Sequence, residues 1–280
     1  DLAVDGNVSL KQIAASPDAP HAMQLKADSL QLARNVEGLA KIGIRGEEKT
    51  SLPAEIQAGP LKLIGMDIQL DQQTNRMWVA GPGEMHLQQA KQAQPTRPAN
   101  ATQITWAKRL DFDGQTVTME KDVKTSVQSY SATGQTTQTR ISGALLQTTL
   151  NRHLNLQKPD NTRPLQLRRL TYGGGIKIVS QTQSATGQPL SVDQLQVHSM
   201  SLDQQTGELQ ATGPGWGSSV RVDQRKKENV QPMASPELIY VRVQFENGIA
   251  GNIHNRHIRF YRRVQTIYGP VPNWNHVLDP

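Results

Sequence analysis

An eight-residue pattern of hydrophobic and polar positions recurs along the chain. Apolar or small residues occupy its positions 1, 3, 6 and 8, and a polar pair separates the two halves. Because side chains alternate faces along a strand, this reset of the phase predicts a strand with a bulge or corner at its middle. A helix does not place these four positions on one narrow stripe. The copies are LKADSLQL at 25–32, LQLRRLTY at 165–172 and LQVHSMSL at 195–202, with looser ones at 63–70, 105–112 and 141–148.

Polar turns follow several copies and predict hairpins, as at 71–75, 113–114 and 203–207. The longest internal match aligns LDQQTNRMWVAGPG at 70–83 with LDQQTGELQATGPG at 202–215. Both segments contain Leu-Asp-Gln-Gln-Thr and end in Gly-Pro-Gly, so the match predicts an internal duplication. The intervals between copies are uneven, which argues against a β-helix of fixed rungs and against an even-bladed propeller.

These patterns predict an all-β protein with few or no helices, built as an elongated folded sheet of stacked, bent antiparallel strands. Aromatic residues make up only 4% of the chain, which argues against a thick sandwich core. We expect a first repeat block over 1–156 and its continuation, with the duplicated unit, over 157–222. A linker is expected at 223–236, and a further repeat begins over 237–280.

Composition excludes several classes of site. The chain has no Cys, so disulfides, thiolate zinc sites, iron–sulfur clusters and cysteine nucleophiles are excluded. No stretch approaches 18 consecutive apolar residues, so no transmembrane helix is expected. The formal net charge of +6 is too modest to predict a nucleic-acid partner. Because the chain begins with Asp1 and shows no signal segment, we expect it to belong to a longer precursor. One arrangement of this precursor places a membrane anchor in its terminal parts.

No catalytic, metal or cofactor site emerges from the motifs. His254 and His257 are three residues apart, but no HExxH glutamate lies between them, and a strand would turn them to opposite faces. In residues 111–122 the glycine, Gly114, is at position four and the twelfth residue is not Glu, which does not fit a calcium loop. Residues 173–175 are three glycines without the Lys-Ser/Thr of a phosphate loop, and predict a turn. The sequence therefore predicts a protein that is not an enzyme.

Two short motifs resemble a known family. Gly6-Asn7-Val8 and Ala27-Asp28-Ser29-Leu30, set within the repeated unit of bent strand, Asp turn and return strand, resemble the OstA-like domain of the lipopolysaccharide-transport periplasmic proteins. The resemblance implies a twisted β-jellyroll, open along one side, that holds acyl chains inside and bridges the two bacterial membranes. It also implies a periplasmic or cell-envelope location. The other copies depart from the family by replacing Ala-Asp with Gly-Met, Ala-Lys, Leu-Arg or Val-His.

An aliphatic interior with few aromatic side chains to fill it independently favours an open hydrophobic trough, in which each buried methylene of a lipid gains about 0.8 kcal/mol. A dry, closed core is the alternative. The residues expected to contact acyl chains are Leu25, Leu30, Leu32, Ile68, Leu70, Leu165, Leu167, Leu195, Val197, Met200 and Leu202. Basic residues near aromatic ones suit the phosphates of a glycolipid headgroup, with a solvated strand face as the alternative; they are Arg256, Arg259, Arg262 and Arg263.

The expected partner is a lipopolysaccharide or another anionic glycolipid, and exposed end strands would let copies or other transport components join by strand addition. A structural or adhesive β-solenoid segment of a large exported protein is the main alternative. A polysaccharide-active enzyme is a third class, but it requires two carboxylates about 5 to 10 Å apart in a cleft, and no pair is apparent.

Overall fold

The computed structural model describes residues 1–11, 23–38, 40–58, 61–88, 100–156, 167–223, 237–255 and 257–278. These ranges contain strands and no helix, which confirms the all-β prediction, and no described segment is a helix that could span a membrane. The strands are β1 Leu2–Lys11, β2 Met23–Arg34, β3 Ala40–Arg45, β4 Ala54–Ala58, β5 Leu61–Asp71, β6 Arg76–Gln88, β7 Ala101–Trp106, β8 Arg109–Phe112, β9 Thr116–Tyr130, β10 Thr136–Leu150, β11 Leu167–Gly173, β12 Ile176–Gln183, β13 Pro189–Val197, β14 Ser199–Asp203, β15 Glu208–Thr212, β16 Gly215–Val222, β17 Leu238–Phe245, β18 Gly248–Asn252, β19 His257–Tyr261 and β20 Gln265–Val271.

The described strands form one antiparallel meander of thirteen rungs. Six rungs are single long strands, and seven are pairs of short strands that follow each other in one line. Every rung pairs only with the rungs before and after it in sequence. At about 4.8 Å per rung the stack is roughly 58 Å long. The rungs are, in order, β1, β2, β3/β4, β5, β6, β7/β8, β9, β10, β11/β12, β13/β14, β15/β16, β17/β18 and β19/β20.

Each rung bends at one point, its corner, and is divided there between two arms that face each other. In β5, for example, residues 67–71 pair with β3 and residues 61–65 pair with β4. Arm I contains β3, β8, β11, β14, β15, β18 and β19, and arm II contains β4, β7, β12, β13, β16, β17 and β20; each longer strand contributes one half to each arm. The hydroxyl of Tyr172 in arm I donates a 2.7 Å hydrogen bond to Oγ1 of Thr125 in arm II, so the arms meet across the core.

Bends between the arms occur where the eight-residue pattern predicts them in most copies. The register shifts between Gly65 and Asp67 in β5, and the single residue His198 separates β13 from β14. The copy at 165–172 is different: its polar pair marks a bulge inside arm I, and the corner of that rung is Gly174-Gly175, both with positive φ. The predicted turn at the three glycines is therefore this corner.

The copy at 105–112 has its first half out of phase. Its buried residues in arm II are Ile104 and Trp106, whereas the pattern assigned Thr105 and Ala107 to the interior. The indole of Trp106 explains the shift, because its Nε1 donates a 3.1 Å hydrogen bond to the carbonyl of Gly81 at the corner of the preceding rung. A large aromatic ring therefore fills the interior opposite the small residue Gly83 of the preceding rung.

The segments expected as internal boundaries fall between directly paired strands. Strand β10 pairs with β11 and β12, and β16 pairs with β17, so the same stack continues on both sides. Residues 157–166 and 224–236 lie outside the described residues. The amide of Asp223 donates to the carbonyl of Glu237 at 2.8 Å, which brings the two ends of the second segment together.

Candidate functional site

The apolar inner side of arm I is the most continuous feature of the molecule. One residue from each rung forms a row next to the corner, and nearly all of its members are buried. This inner row consists of Val4, Leu30, Ile44, Ile68, Val79, Leu110, Met119, Leu146, Tyr172, Met200, Ala211, Ile249 and Phe260. Cross-strand neighbours in such rows are in contact, so the row joins all thirteen rungs.

A second apolar row lies two residues farther from the corner and is more open. Leu32, Leu70 and Leu202 belong to it and are half-buried, whereas Leu30, Ile68 and Met200 of the inner row are buried. The bulge in β11 places Leu167 opposite Leu150 at the outer end of arm I, where Leu167 is half-buried. These seven predicted residues therefore share one side of one arm. Leu165 lies outside the described residues.

The remaining predicted lipid-contacting residues lie on the facing side of arm II. Leu25 and Val197 are buried and Leu195 is half-buried. All three belong to or pack against the main hydrophobic cluster, and so do the residues of the arm I inner row other than Val4. The two arms therefore enclose one common apolar interior.

The interior is closed at the middle of the stack. Tyr172 and Thr125 are both buried where their hydroxyls meet. Burial raises the pKa of Tyr172, an effect that the hydrogen bond to Thr125 opposes only in part. Nearby, the hydroxyl of Thr148 is buried between apolar neighbours without a hydrogen-bond partner among the described residues. Such an unsatisfied group is costly to bury.

Arm II becomes polar toward its free end in the C-terminal half of the stack, which the sequence analysis missed. The hydroxyls of Thr137 and Thr182 are 3.1 Å apart, and those of Thr139 and Ser180 are 2.9 Å apart. One strand farther, Asp193 accepts hydrogen bonds from nearby hydroxyl and guanidinium groups. Its donors are Ser191, Ser219 and Arg221. The sequence signal for this polar end is the alternation of Ser and Thr with other residues in β10 and β12.

The predicted headgroup residues lie on the last rung and do not converge on one site. Arg259 is exposed on β19, while Arg262 and Arg263 form the corner to β20 with positive φ. Arg263 approaches Glu246 at 3.4 Å. Arg256 lies outside the described residues. The three described arginines therefore supply an exposed basic edge, which carries no enclosed phosphate site.

Turns at the tip of arm I repeat one side-chain arrangement. Oδ1 of Asp71 accepts the amides of Gln73 and Thr74, and Oδ1 of Asp203 accepts those of Gln205 and Thr206, at 2.9–3.2 Å. Burial raises the pKa of Asp71, but the two backbone hydrogen bonds and Lys41 outweigh it, so its pKa is below the usual value.

For Asp203 the backbone hydrogen bond from Thr206 is the largest cause of a lowered pKa, and burial opposes it. Asp113, at the tip between β8 and β9, accepts the amides of Gln115 and Thr116 in the same way. These carboxylates serve the turns, and no three His, Asp or Glu side chains of the described chain come together as a metal site.

Comparison of the chain with protein-family models, curated proteins and solved structures gives no match. The chemistry of the site therefore rests on the geometry alone. That geometry is an apolar interior between two arms, closed at its centre, half-open along arm I and hydroxyl-lined at the free end of arm II.

Proposed function

We propose that the protein is a non-enzymatic cell-envelope module that binds the acyl chains of a lipopolysaccharide, or of a similar anionic glycolipid, between its two arms. The observation that carries the proposal is the pair of apolar rows along arm I, of which the outer row stays half-exposed at Leu32, Leu70 and Leu202. A lipid chain lying along this row buries apolar surface on both partners.

The binding free energy expected from burying methylenes favours a lipid with several acyl chains. About ten methylenes against the outer row gain about 8 kcal/mol, whereas immobilising a ligand costs about 4–15 kcal/mol. One short chain is therefore near break-even, and a multi-chain glycolipid gains more from the same row. The exposed guanidinium groups of Arg259 and Arg262 supply cations for its phosphates at the last rung.

The first rung supports the proposal of a module that joins others, as a carrier through the periplasm requires. Strand β1 pairs with β2 on one edge and with no other described strand. Its side chains Leu2, Val4 and Leu10 continue the apolar interior, yet are 50%, 37% and 42% exposed. Strand addition by a second copy or another transport component would cover them. Deleting residues 1–11 should weaken self-association more than thermal stability, whereas equal loss of both contradicts this assembly.

A structural or adhesive segment of an exported protein is the second candidate, because the Tyr172–Thr125 hydrogen bond closes the interior at its centre. A protein whose interior is always dry should gain about 1 kcal/mol of stability from Thr148→Val, since the change removes an unsatisfied buried hydroxyl and keeps the shape. Urea unfolding measures this gain. No gain favours an interior in which a ligand or water uses the hydroxyl.

Photo-crosslinking tests the lipid proposal directly. A photoreactive amino acid at Leu202, in the outer row, is compared with one at Gln204, exposed in the following turn. The protein is expressed in its own cells, irradiated, purified and examined for lipid adducts by mass spectrometry. Adducts at Leu202 that are absent at Gln204 are expected. A folded protein without adducts at either position, or with equal adducts at both, rejects the acyl-binding interior.

A further inference from the structure

The outer face of arm II, turned away from the apolar interior, carries two adjoining depressions. The first has a volume of about 410 Å³ and is lined by Thr105, Lys124, Arg140, Ser142 and Lys177, among others. The second has a volume of about 460 Å³ and is lined by Gln196, Trp216, Gln244 and Gln265, among others. Lys177 and Gln196 are direct cross-strand partners, so the two depressions meet there.

A single straight row of side chains runs through both depressions. Its members are in register across eight neighbouring strands, from β7 to β20. They are Thr105, Lys124, Ser142, Lys177, Gln196, Trp216, Gln244 and Gln265. At about 4.8 Å per strand the row is roughly 34 Å long. It contains hydroxyls, amides, two ammonium groups and an indole, with no carboxylate and no aliphatic side chain.

The first depression is positively charged and its cations are available. Lys124, Arg140 and Lys177 come from three adjacent strands, β9, β10 and β12, and none forms an ion pair with a described carboxylate. Arg140 donates to the amide oxygen of Gln138 at 3.1 Å. Glu84 lies two strands from Lys124 and is already engaged by Gln103 and His86. The depression therefore has an excess of three positive charges.

The second depression adds an aromatic ring and more amides. The guanidinium carbon of Arg242 lies 5.1 Å from the centre of the Trp216 ring, a cation–π arrangement that holds both groups on this face. The one carboxylate at this end, Glu246, lies 3.4 Å from Arg263. Amide groups both donate and accept hydrogen bonds, so Gln196 and Gln265 can each bind a sugar hydroxyl.

We propose that this row binds an extended anionic glycan, with carboxylate or sulfate groups at Lys124, Arg140 and Lys177 and hydroxyl-rich sugars at the glutamines and Trp216. Charge-assisted hydrogen bonds hold the anionic groups. The strand spacing is close to the length of one pyranose unit, so successive sugars meet successive rungs. A protein partner is disfavoured because the row lacks the apolar centre of a protein interface. Single-stranded nucleic acid is disfavoured because one indole provides too few stacking surfaces.

This site is on the opposite side of the sheet from the apolar interior and does not depend on the proposed acyl binding. Its test uses the unsubstituted chain and isothermal titration calorimetry at low salt. The probes are an oligogalacturonate and a sulfated dextran oligomer as anionic glycans, a neutral malto-oligosaccharide of equal length, and oligothymidylate. Binding of at least one anionic glycan, and weaker binding of the neutral one, is expected.

Two matched variants locate the site. Lys124→Gln, Arg140→Gln and Lys177→Gln together should weaken glycan binding about tenfold or more, because three exposed charge contacts are lost. The control combines Lys11→Gln, Arg34→Gln and Lys49→Gln, which removes the same charge from exposed residues far along the stack and should change the affinity less than twofold. Thermal unfolding shows whether each variant is folded.

Three results overturn the proposal. One is the absence of binding by both anionic glycans to the unsubstituted protein. Another is equal weakening in the two triple variants, which would indicate attraction to net charge alone. The third is tighter binding of oligothymidylate than of either glycan, which would assign the row to nucleic acid. Loss of lipid adducts at Leu202 leaves all three outcomes unaffected, so failure of the acyl-binding proposal is distinguishable.

Discussion

The segments that contain the matching sequences 70–83 and 202–215, β5–β6 and β13–β16, share the arm I turn and differ at the free end of arm II. In both, an aspartate closes the arm I turn, as Asp71 and Asp203, and faces a cation on the preceding rung. Nζ of Lys41 is 3.5 Å from Asp71, and a guanidinium nitrogen of Arg169 is 3.4 Å from Asp203. The turn and its electrostatic support are therefore repeated.

The corners share their last glycine, although the Gly213–Pro214 peptide bond is cis and the Gly81–Pro82 bond is not. Gly83 and Gly215 each end a Gly-Pro-Gly segment, and each lies under an aromatic ring from the next rung, Trp106 in the first segment and Phe245 in the second. A Cβ at Gly215 would lie 2.8 Å from the Phe245 ring. A Cβ at Gly83 or Gly215 would also meet a backbone carbonyl oxygen, of Ile64 or Gln196 respectively, so the ring and the neighbouring strand together require a glycine.

The free ends of arm II differ in chemistry. The cross-strand pair Leu61 and Leu87 of the first segment corresponds to Asp193 and Ser219 in the second. The outer face changes too, since Glu84 corresponds to Trp216. The shared residues therefore lie at the turn and at the last glycine of the corner, whereas the ends of arm II differ in chemistry.

The largest expected effect is the loss of unfolding free energy when an inner-row side chain is removed from either segment. Ile68→Ala and Met200→Ala remove corresponding side chains and should each lower the unfolding free energy by about 2–5 kcal/mol. The loss at Ile68 should be the larger, because Ile68 is fully buried and Met200 is 8% exposed. Urea unfolding measures both, with exposed Gln210→Ala as the control. A loss at Ile68 no greater than that of the control would contradict the assigned core.

The next effect tests the aromatic ring over the corner glycine. Gly83→Ala and Gly215→Ala should each cost about 1–3 kcal/mol, because a methyl group has no room beneath the ring. Gly217→Ala is the matched control, since its nearest neighbours to an added Cβ are 3.6 Å away. Thermal unfolding of the three variants measures the difference in stability. Equal melting temperatures for Gly215→Ala and Gly217→Ala would contradict the requirement for glycine at the corner.

The sequence predicted the bends well because they follow from local chemistry. Two polar residues between period-2 halves reset the side-chain phase at one place in the chain, as at 25–32 and 195–202. The turn aspartates Asp71 and Asp203 likewise lie within single hairpins. The prediction was wrong for the first half of the copy at 105–112, because Trp106 lies in the interior and its indole contacts another rung. Such a contact between rungs is not visible in an eight-residue window.

The two candidate binding surfaces were predictable only in part. The apolar residues of arm I follow from the pattern, since one strand contains its own inner and outer positions. The outer row of arm II was not predictable, because Lys124, Lys177 and Trp216 lie on different strands and come into line only when every hairpin has the correct register. One slipped residue in any hairpin would turn part of the row inward.

The polar end of arm II in the second segment can be converted to the chemistry of the first. Asp193→Leu with Ser219→Leu restores the Leu61–Leu87 pair at the corresponding positions. If acyl chains lie in the interior, the variant should bind a fluorescent long-chain fatty acid several-fold more tightly, because its apolar surface is longer. A fluorescence titration measures this, with Leu61→Asp and Leu87→Ser as the reverse exchange. An unchanged affinity in both double variants would show that the interior takes up no acyl chain.

The smallest effect concerns the two turn carboxylates and acid. Their folded pKa values are below the usual value, so the ionised form stabilises the folded state above the unfolded pKa of about 4, and this contribution is lost as the pH falls through the folded pKa. Asp71→Asn and Asp203→Asn keep the acceptor for the turn amides, as Asn252 does in the turn after β18, where its Oδ1 accepts the amides of His254 and Asn255.

Each variant should therefore be less stable than the unsubstituted protein at pH 7, by the same amount down to about pH 5, and the difference should shrink below about pH 4. Urea unfolding across this range measures the difference for the two segments side by side. Because both aspartates accept two backbone amides and face one exposed cation, both differences should shrink as the pH falls. A difference that stays constant down to pH 3 would mean that the ionised carboxylates contribute nothing to either turn, and that the repeated aspartate acts only as a hydrogen-bond acceptor.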